Sequence, residues 1–235
     1  MVRPPLHHRW VSRLAPSGNL TGVQDGFPDG FFDRGDPTSD ADFYAFPRLV
    51  THIDDRAIRA VGELYEALRL DGEVLDLMSS WVSHFTTPPQ RLTVLGMNAE
   101  ELDANPKAHD RVLHDLNADP VLPFADDSFD AAVCCVSVDY LVRPVEVFRD
   151  VARVVRPGGP FVCTFSNRLF PSKAIRGWLM STDQQHCELV TEYFRRAGGW
   201  DEPITELRTA LTEPGDPLYA VWAYRATTGG GPGLG

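Results

Sequence analysis

Apolar positions along this chain fall into short continuous runs that alternate with helically spaced ones. Ile58, Val61, Leu64, Tyr65 and Leu68 recur at helical spacing after Asp54-Asp55, acids that can cap and complement a helix N-terminus. Glu73 to Leu77 is a short apolar run, and Leu92 to Met97 is rich in strand formers. Asn98, with Glu101 three residues on, reads as a capping box that opens a helix over Ala99 to Ala104. Arg111 to Leu116 reads as a strand, and Ala131 to Ser137 (AAVCCVS) as one buried on both faces, as the centre of a parallel sheet requires. Pro144 starts a helix whose Val145, Phe148, Val151, Ala152 and Val155 share a face, closed by Pro157-Gly158-Gly159. Phe161 to Phe165 follows as a strand, Glu188 to Ala197 as a helix stopped by Gly198-Gly199, and Ile204 to Leu207 and Tyr219 to Tyr224 as final strands.

This alternation predicts an α/β fold: a Rossmann-like, doubly wound, mainly parallel sheet of seven strands with helices on both faces. Ligands of such sheets bind beyond the carboxyl ends of the strands, so the loops after Leu77, Met97, Leu116 and Ser137 are where chemistry is expected. Residues 1–40, rich in Gly, Pro and Asp and lacking any sustained period, are expected as an irregular N-terminal arm. Its phenylalanines, with Phe43 and Phe46 beyond it, need a surface to lie on, either the domain's own core or the mouth of a ligand site. Residues 41–227 form the expected domain, and 228–235 (GGGPGLG and the residue before it) a Gly-rich tail.

Composition narrows the function classes. The chain has 235 residues with 22 Lys and Arg against 33 Asp and Glu, a net charge of −11 that repels phosphate backbones, so nucleic acid is not an expected partner. The longest apolar stretch, Ala131 to Val138, falls far short of the roughly 18 residues a membrane helix needs, and the opening MVRPPLHHRW lacks an apolar core of a signal peptide. The expectation is a cytoplasmic protein with no membrane partner. The 4 cysteines (Cys134, Cys135, Cys163, Cys187) show no C-x-x-C spacing and sit in apolar segments, as reduced, buried thiols do. No metal site is expected, since His7-His8 lacks a third ligand at useful spacing.

One stretch carries a specific resemblance. Leu122-Pro123-Phe124, Ser128-Phe129-Asp130 and Arg153-Val154-Val155-Arg156-Pro157-Gly158-Gly159 stand as they do in the second half of class I S-adenosylmethionine-dependent methyltransferases of the small-molecule branch. The segment closely resembles that superfamily, and with flanking pieces the resemblance covers about Gly72 to Arg225. It implies S-adenosylmethionine as cofactor and methyl transfer to a small-molecule acceptor. The family ends its first strand in an acid followed by three alternating glycines; here Asp76 is in place, but Met78, Ser80 and Val82 stand where the glycines belong. Thr86-Thr87-Pro88-Pro89 limits any following helix to one or two turns. Two readings stay open. Either the loop is rebuilt so that Ser79 and Ser80 contact the cofactor, or Met78 and Trp81 fill its place, and the fold binds a partner, regulates, or catalyses another reaction.

By the same resemblance Asn98 stands where an acid accepts from the ribose hydroxyls, as well as being a plain helix cap. Asp115 and Leu116 stand where the family reads adenine. After the fourth predicted strand, Ser137 adjoins the cofactor position, and Asp139 or Tyr140 matches the site near the transferred methyl group. His84, beside Trp81 in the altered loop, is the remaining catalytic candidate, and His52 with Tyr44 a lid candidate. Arg168, Lys173, Arg176 and Trp178 read as a small basic patch or, more simply, a solvated turn. The oligomeric state is open.

Overall fold

A computed structural model describes residues 26–227 of the chain. Most of the N-terminal arm, His7-His8 and the Gly-rich tail lie outside the described residues. The seven strands are β1 (Glu73–Leu77), β2 (Arg91–Gly96), β3 (Asp110–Leu113), β4 (Ala131–Cys135), β5 (Pro160–Phe165), β6 (Ile204–Leu207) and β7 (Tyr219–Tyr224). They form one sheet in the order β3-β2-β1-β4-β5-β7-β6, parallel except for β7, which runs antiparallel to both of its neighbours. The order reverses between β1 and β4, so a crevice opens above their carboxyl ends.

Strand alternation sends successive side chains to opposite faces. Leu75, Leu77, Ala132, Cys134, Phe161 and Cys163 enter one core under α4 (Pro144–Val154) and α6 (Asp183–Ala197). Val74, Leu92, Val94, Val133 and Val162 enter the other under α2 (Asp55–Ala67). Cys134 and Cys135 thus part to opposite faces, and all four cysteines are free thiols. No helix of the described residues is long and apolar enough to cross a membrane.

Several boundaries differ from the sequence reading for local reasons. β4 stops at Cys135 because Val136 takes φ 46°, a left-handed conformation no strand accommodates. β3 stops at Leu113 because an Asx turn, with Asn117 N–H donating to Asp115 Oδ1 at 2.9 Å, turns the chain away. α6 starts five residues before Glu188, at Asp183, because Thr182 and Gln185 form a capping box there. The one or two helical turns expected after β1 are absent: residues 78–90 are irregular, and α2 lies so close that a Cβ at Gly62 would strike the Thr86 hydroxyl and the His84 carbonyl.

The segment before α2 also has a defined course. Phe27 and Phe32 are buried against Tyr193 of α6, and residues 31–36 run along 172–177, with Asp36 N–H donating to Ser172 O, Arg176 N–H to Asp33 O and Gly177 N–H to Phe31 O. The chain then forms a short helix, α1 (Asp40–Phe43), and passes over the crevice as a strap before entering α2. Lys173 is not the solvated-turn or basic-patch residue that its sequence context suggests. It is instead fully buried, with Nζ 3.1 Å from Asp36 and 3.3 Å from Asp40, and Trp178 is buried as well. A buried ammonium needs paired carboxylates, and a segment distant in the chain supplies them.

Candidate active site

Beneath the strap lies a cavity of about 420 Å³ above the ends of β1, β2 and β4, within the size range of small-ligand sites. Its floor is Asp76, the penultimate residue of β1. The Asp76 carboxylate accepts from the Ser79 hydroxyl at 2.8 Å and the Ser83 hydroxyl at 2.5 Å. Burial pushes its pKa up to about 6, against the pull of those two hydroxyls. Asn105 at the end of α3 (Ala99–Ala104) in turn donates to Ser83 Oγ at 2.9 Å and Ser80 O at 3.0 Å, which fixes the loop after β1 without a helix.

That loop lines the cavity rather than filling it: Met78, Ser79, Ser80, Trp81 and His84 all face it. Met78 takes φ 52°, the left-handed conformation that glycine adopts freely and a side chain adopts at a cost of about 1–2 kcal/mol. Its backbone therefore runs as a glycine backbone would, while the side chain packs against the core. Gly96, at the end of β2, has no room for a Cβ, which would run into the Ser79 carbonyl. Trp81 Nε1 donates to Val50 O at 3.1 Å and so ties the loop to the strap.

Asn98 caps α3, its Oδ1 accepting from Glu101 N–H at 3.0 Å, while its amide nitrogen donates to Tyr44 O at 2.9 Å. The second half of the expected capping box is missing. Glu101 turns away, accepting from Arg48 N–H at 2.7 Å and from the Ser80 hydroxyl at 2.5 Å. Asp115 and Leu116 line the cavity beyond β3, as does Asn117, which donates to Asp40 Oδ2 at 2.8 Å and to Tyr140 O at 3.0 Å. Ser137 lines it after β4, with its hydroxyl on Cys135 O at 3.0 Å.

The three catalytic candidates separate. Tyr140 lines the cavity, its hydroxyl accepting from Phe170 N–H at 2.9 Å, and burial holds its phenol well above the ordinary range. His84 lines the end beside β1, and burial, then Lys107, push its pKa down to about 4, so it is neutral at pH 7. Asp139 is not among the lining residues. It is buried, its Oδ2 has no hydrogen-bond partner, and burial pushes its pKa up to about 8.

Sequence reasoning did not single out Tyr65, Glu101 or Phe170 for the cavity, nor Arg48 for more than proximity to His52. Tyr65 is the least expected, because helical spacing assigns it to a core face; its hydroxyl is buried without a partner near the Asp76 carboxylate and Cys135. Burial pushes the Cys135 thiol up to about 12, so it is no thiolate nucleophile. Among the described residues no cluster of three or more His, Cys, Asp or Glu could hold a metal ion.

Comparison with known proteins agrees with this geometry. Residues 77–163 match the family model described as a methyltransferase domain. The chain is 29% identical over 133 residues to the methyltransferase GfsG of Streptomyces halstedii, a stretch covering 50% of this chain and 46% of that protein. It therefore spans about half the length of the curated relative it matches. Among solved structures, the S-adenosylmethionine-dependent methyltransferase SibL in its apo form superposes with a TM-score of 0.53 at 15% identity, over 74% of this chain and 55% of that one. The [4+2]-cyclase SpnF superposes equally well, at 0.53 and 16% identity, over 79% of this chain and 91% of that one. The sheet order and the match over residues 77–163 support a place among the class I S-adenosylmethionine-dependent methyltransferases, which this chain resembles in fold and over the matched stretch.

Proposed function

We propose that this protein transfers a methyl group from S-adenosylmethionine to a small-molecule acceptor. The observation that carries the reading is that the glycine-free loop keeps a glycine-like course, with Met78 at φ 52°, and leaves a cavity of about 420 Å³. The residues fit the cofactor. Asp76 offers a carboxylate for an ammonium group, Ser79 and Ser80 offer polar atoms beside it, Asn98 has a spare acceptor lone pair for a ribose hydroxyl, and Asp115 with Leu116 offers an acidic edge and an apolar face for adenine. Bound there, the cofactor supplies an activated methyl group. The protein's part is to align the acceptor with that methyl and exclude water, which the strap favours.

Ultraviolet crosslinking with radiolabelled S-adenosylmethionine tests the placement. Label on peptides carrying residues 78–84 and 97–98, displaced by S-adenosylhomocysteine, supports it. Label confined to other peptides overturns it.

A second reading has one observation in its favour: the Asn98 amide, at the ribose position, is engaged with the strap and the α3 N-terminus. On that reading the cavity serves another reaction or a regulatory ligand, and the similar fold of a protein named as a [4+2]-cyclase is a precedent for other chemistry on this scaffold. Methyl transfer remains the reading that uses the whole set of strand-end residues.

A further inference from the structure

The part of the cavity lining that the cofactor reading leaves over has a chemistry of its own. Asp76, Asn98 and Asp115 sit at the ends of β1, β2 and β3. Tyr140 and Phe170 line the cavity after β4 and β5, and the strap residues Arg48 and His52 reach Phe170. Their rings and planar groups interlock. His52 meets Phe170 edge to face at 5.1 Å, Tyr140 lies 6.0 Å from Phe170, and the Arg48 guanidinium sits 4.4 Å over the Phe43 ring and 5.7 Å from Phe170. Flat aromatic walls favour a flat aromatic ligand. Arg48 donates from Nη2 to Phe43 O at 2.9 Å, while its Nη1, packed against the ring faces, has no hydrogen-bond partner. A guanidinium in that state gains from an adjacent oxyanion.

Building on the methyl-transfer reading, we propose that the acceptor is an aromatic hydroxyl compound, and that His52 takes its proton while Arg48 stabilises the resulting phenolate. The imidazole carries no hydrogen bond to any other described residue, and His52 is exposed at the cavity wall, so a proton taken there can pass to water. Partial burial holds its pKa below the ordinary value. Glu101 on α3 pulls the other way and Arg48 adds to the lowering, so the free base dominates at neutral pH. The step balances: the hydroxyl proton goes to His52, the oxygen lone pair forms the new O–C bond, the C–S bonding pair returns to sulfur as a neutral thioether, and the imidazolium releases its proton to solvent.

The probe is 4-nitrophenol, whose phenolate absorbs visibly, added to protein saturated with S-adenosylhomocysteine. The expected result is an excess of bound phenolate at pH 6 over free 4-nitrophenol, equivalent to a pKa lowered by about one unit, or tenfold. His52→Gln abolishes the excess, and Arg48→Gln weakens 4-nitrophenol binding about tenfold. In both variants S-adenosylhomocysteine affinity stays within about twofold and the melting temperature is retained, because neither side chain is among the residues assigned to the cofactor. An unshifted spectrum, a shift that survives His52→Gln, or equal binding of 4-nitroanisole, which has no proton to lose, overturns the proposal. A His52-dependent phenolate shift in protein that binds no S-adenosylhomocysteine upholds the phenol site and sinks the methyl-transfer reading; normal S-adenosylhomocysteine binding with no shift does the reverse.

Discussion

The side-chain amide of Asn98 donates to the main-chain carbonyl of Tyr44 at 2.9 Å, and by this bond the end of β2 holds the strap over the crevice. A second contact, to Ala45 O at 3.3 Å, reinforces it. An acid at position 98 could not make either bond. The amide nitrogen at this position thus supplies the donor that holds the strap, which a carboxylate could not.

Asn98→Asp accordingly keeps the α3 cap, since aspartate caps as well as asparagine, but sets a carboxylate against two carbonyls. We expect a loss of about 1–3 kcal/mol and faster tryptic cleavage after Arg48. Asn98→Ala, which loses cap and latch together, should be no less destabilised. Limited proteolysis with denaturant unfolding checks both; an unchanged cleavage rate in Asn98→Asp would show that this bond does not hold the strap.

Lys173 is the strap's other anchor, fully buried among Asp36, Asp40 and the Thr38 carbonyl, with Arg34 on the far side of Asp40. Lys173→Met leaves acidic groups buried with less compensation, a change that costs roughly 3–5 kcal/mol for a buried pair. Hydrogen exchange should show residues 34–53 losing protection ahead of the sheet. Loss spread evenly over the molecule would argue against a separately latched strap.

Met78 permits an inversion of a usual order. At most sites alanine is more stable than glycine, because glycine has more chain entropy to lose. Met78→Gly and Met78→Ala both forfeit the same side-chain packing, but only glycine relieves φ 52°. The glycine variant should therefore be the more stable of the two by about 1 kcal/mol. Urea unfolding of the pair decides it, and an alanine variant of equal or greater stability would contradict the left-handed backbone.

Asp139 gives the folded protein a signature in pH. Its pKa is raised from the ordinary 3.8 to about 8, so the native state binds this proton more tightly than the unfolded chain. The stability it contributes is whole below pH 3.8 and is lost as pH rises through about 8. Asp76 acts in the same sense, between 3.8 and about 6. Asp139→Asn removes the larger window. Its stability relative to the parent should rise across that interval with a limiting slope of about 1.4 kcal/mol per pH unit. A difference independent of pH would mean the carboxyl is not buried unpaired.

How much of this was legible in the sequence depends on where the information sits. The pieces whose signal is local came through: Pro144 opening a helix, Gly158-Gly159 turning into β5, the small apolar run of β4, and the acid and amide at the ends of β1 and β2. What was hidden depends on contacts between distant segments. Lys173 looks like a solvated turn residue until Asp36 and Asp40 are folded over it. Tyr65 has ordinary helical spacing, and only the missing helix after β1 brings α2 close enough to expose it to the cavity. The left-handed turn at Met78 is masked by a side chain that ordinarily forbids it, and Glu101 follows Asn98 as a capping box would yet is drawn off by Arg48 and Ser80.

If the loop from Met78 to His84 is a rebuilt cofactor site, the purified protein, freed of carried-over ligand, binds S-adenosylhomocysteine in a calorimetric titration. We expect one site of micromolar affinity, about −8 kcal/mol at 1 μM. Affinity should weaken as pH falls through about 6, where the Asp76 carboxylate takes up its proton, and that dependence should vanish in Asp76→Asn. No heat and no rise in melting temperature at millimolar ligand would contradict it, and would leave the cavity to another ligand.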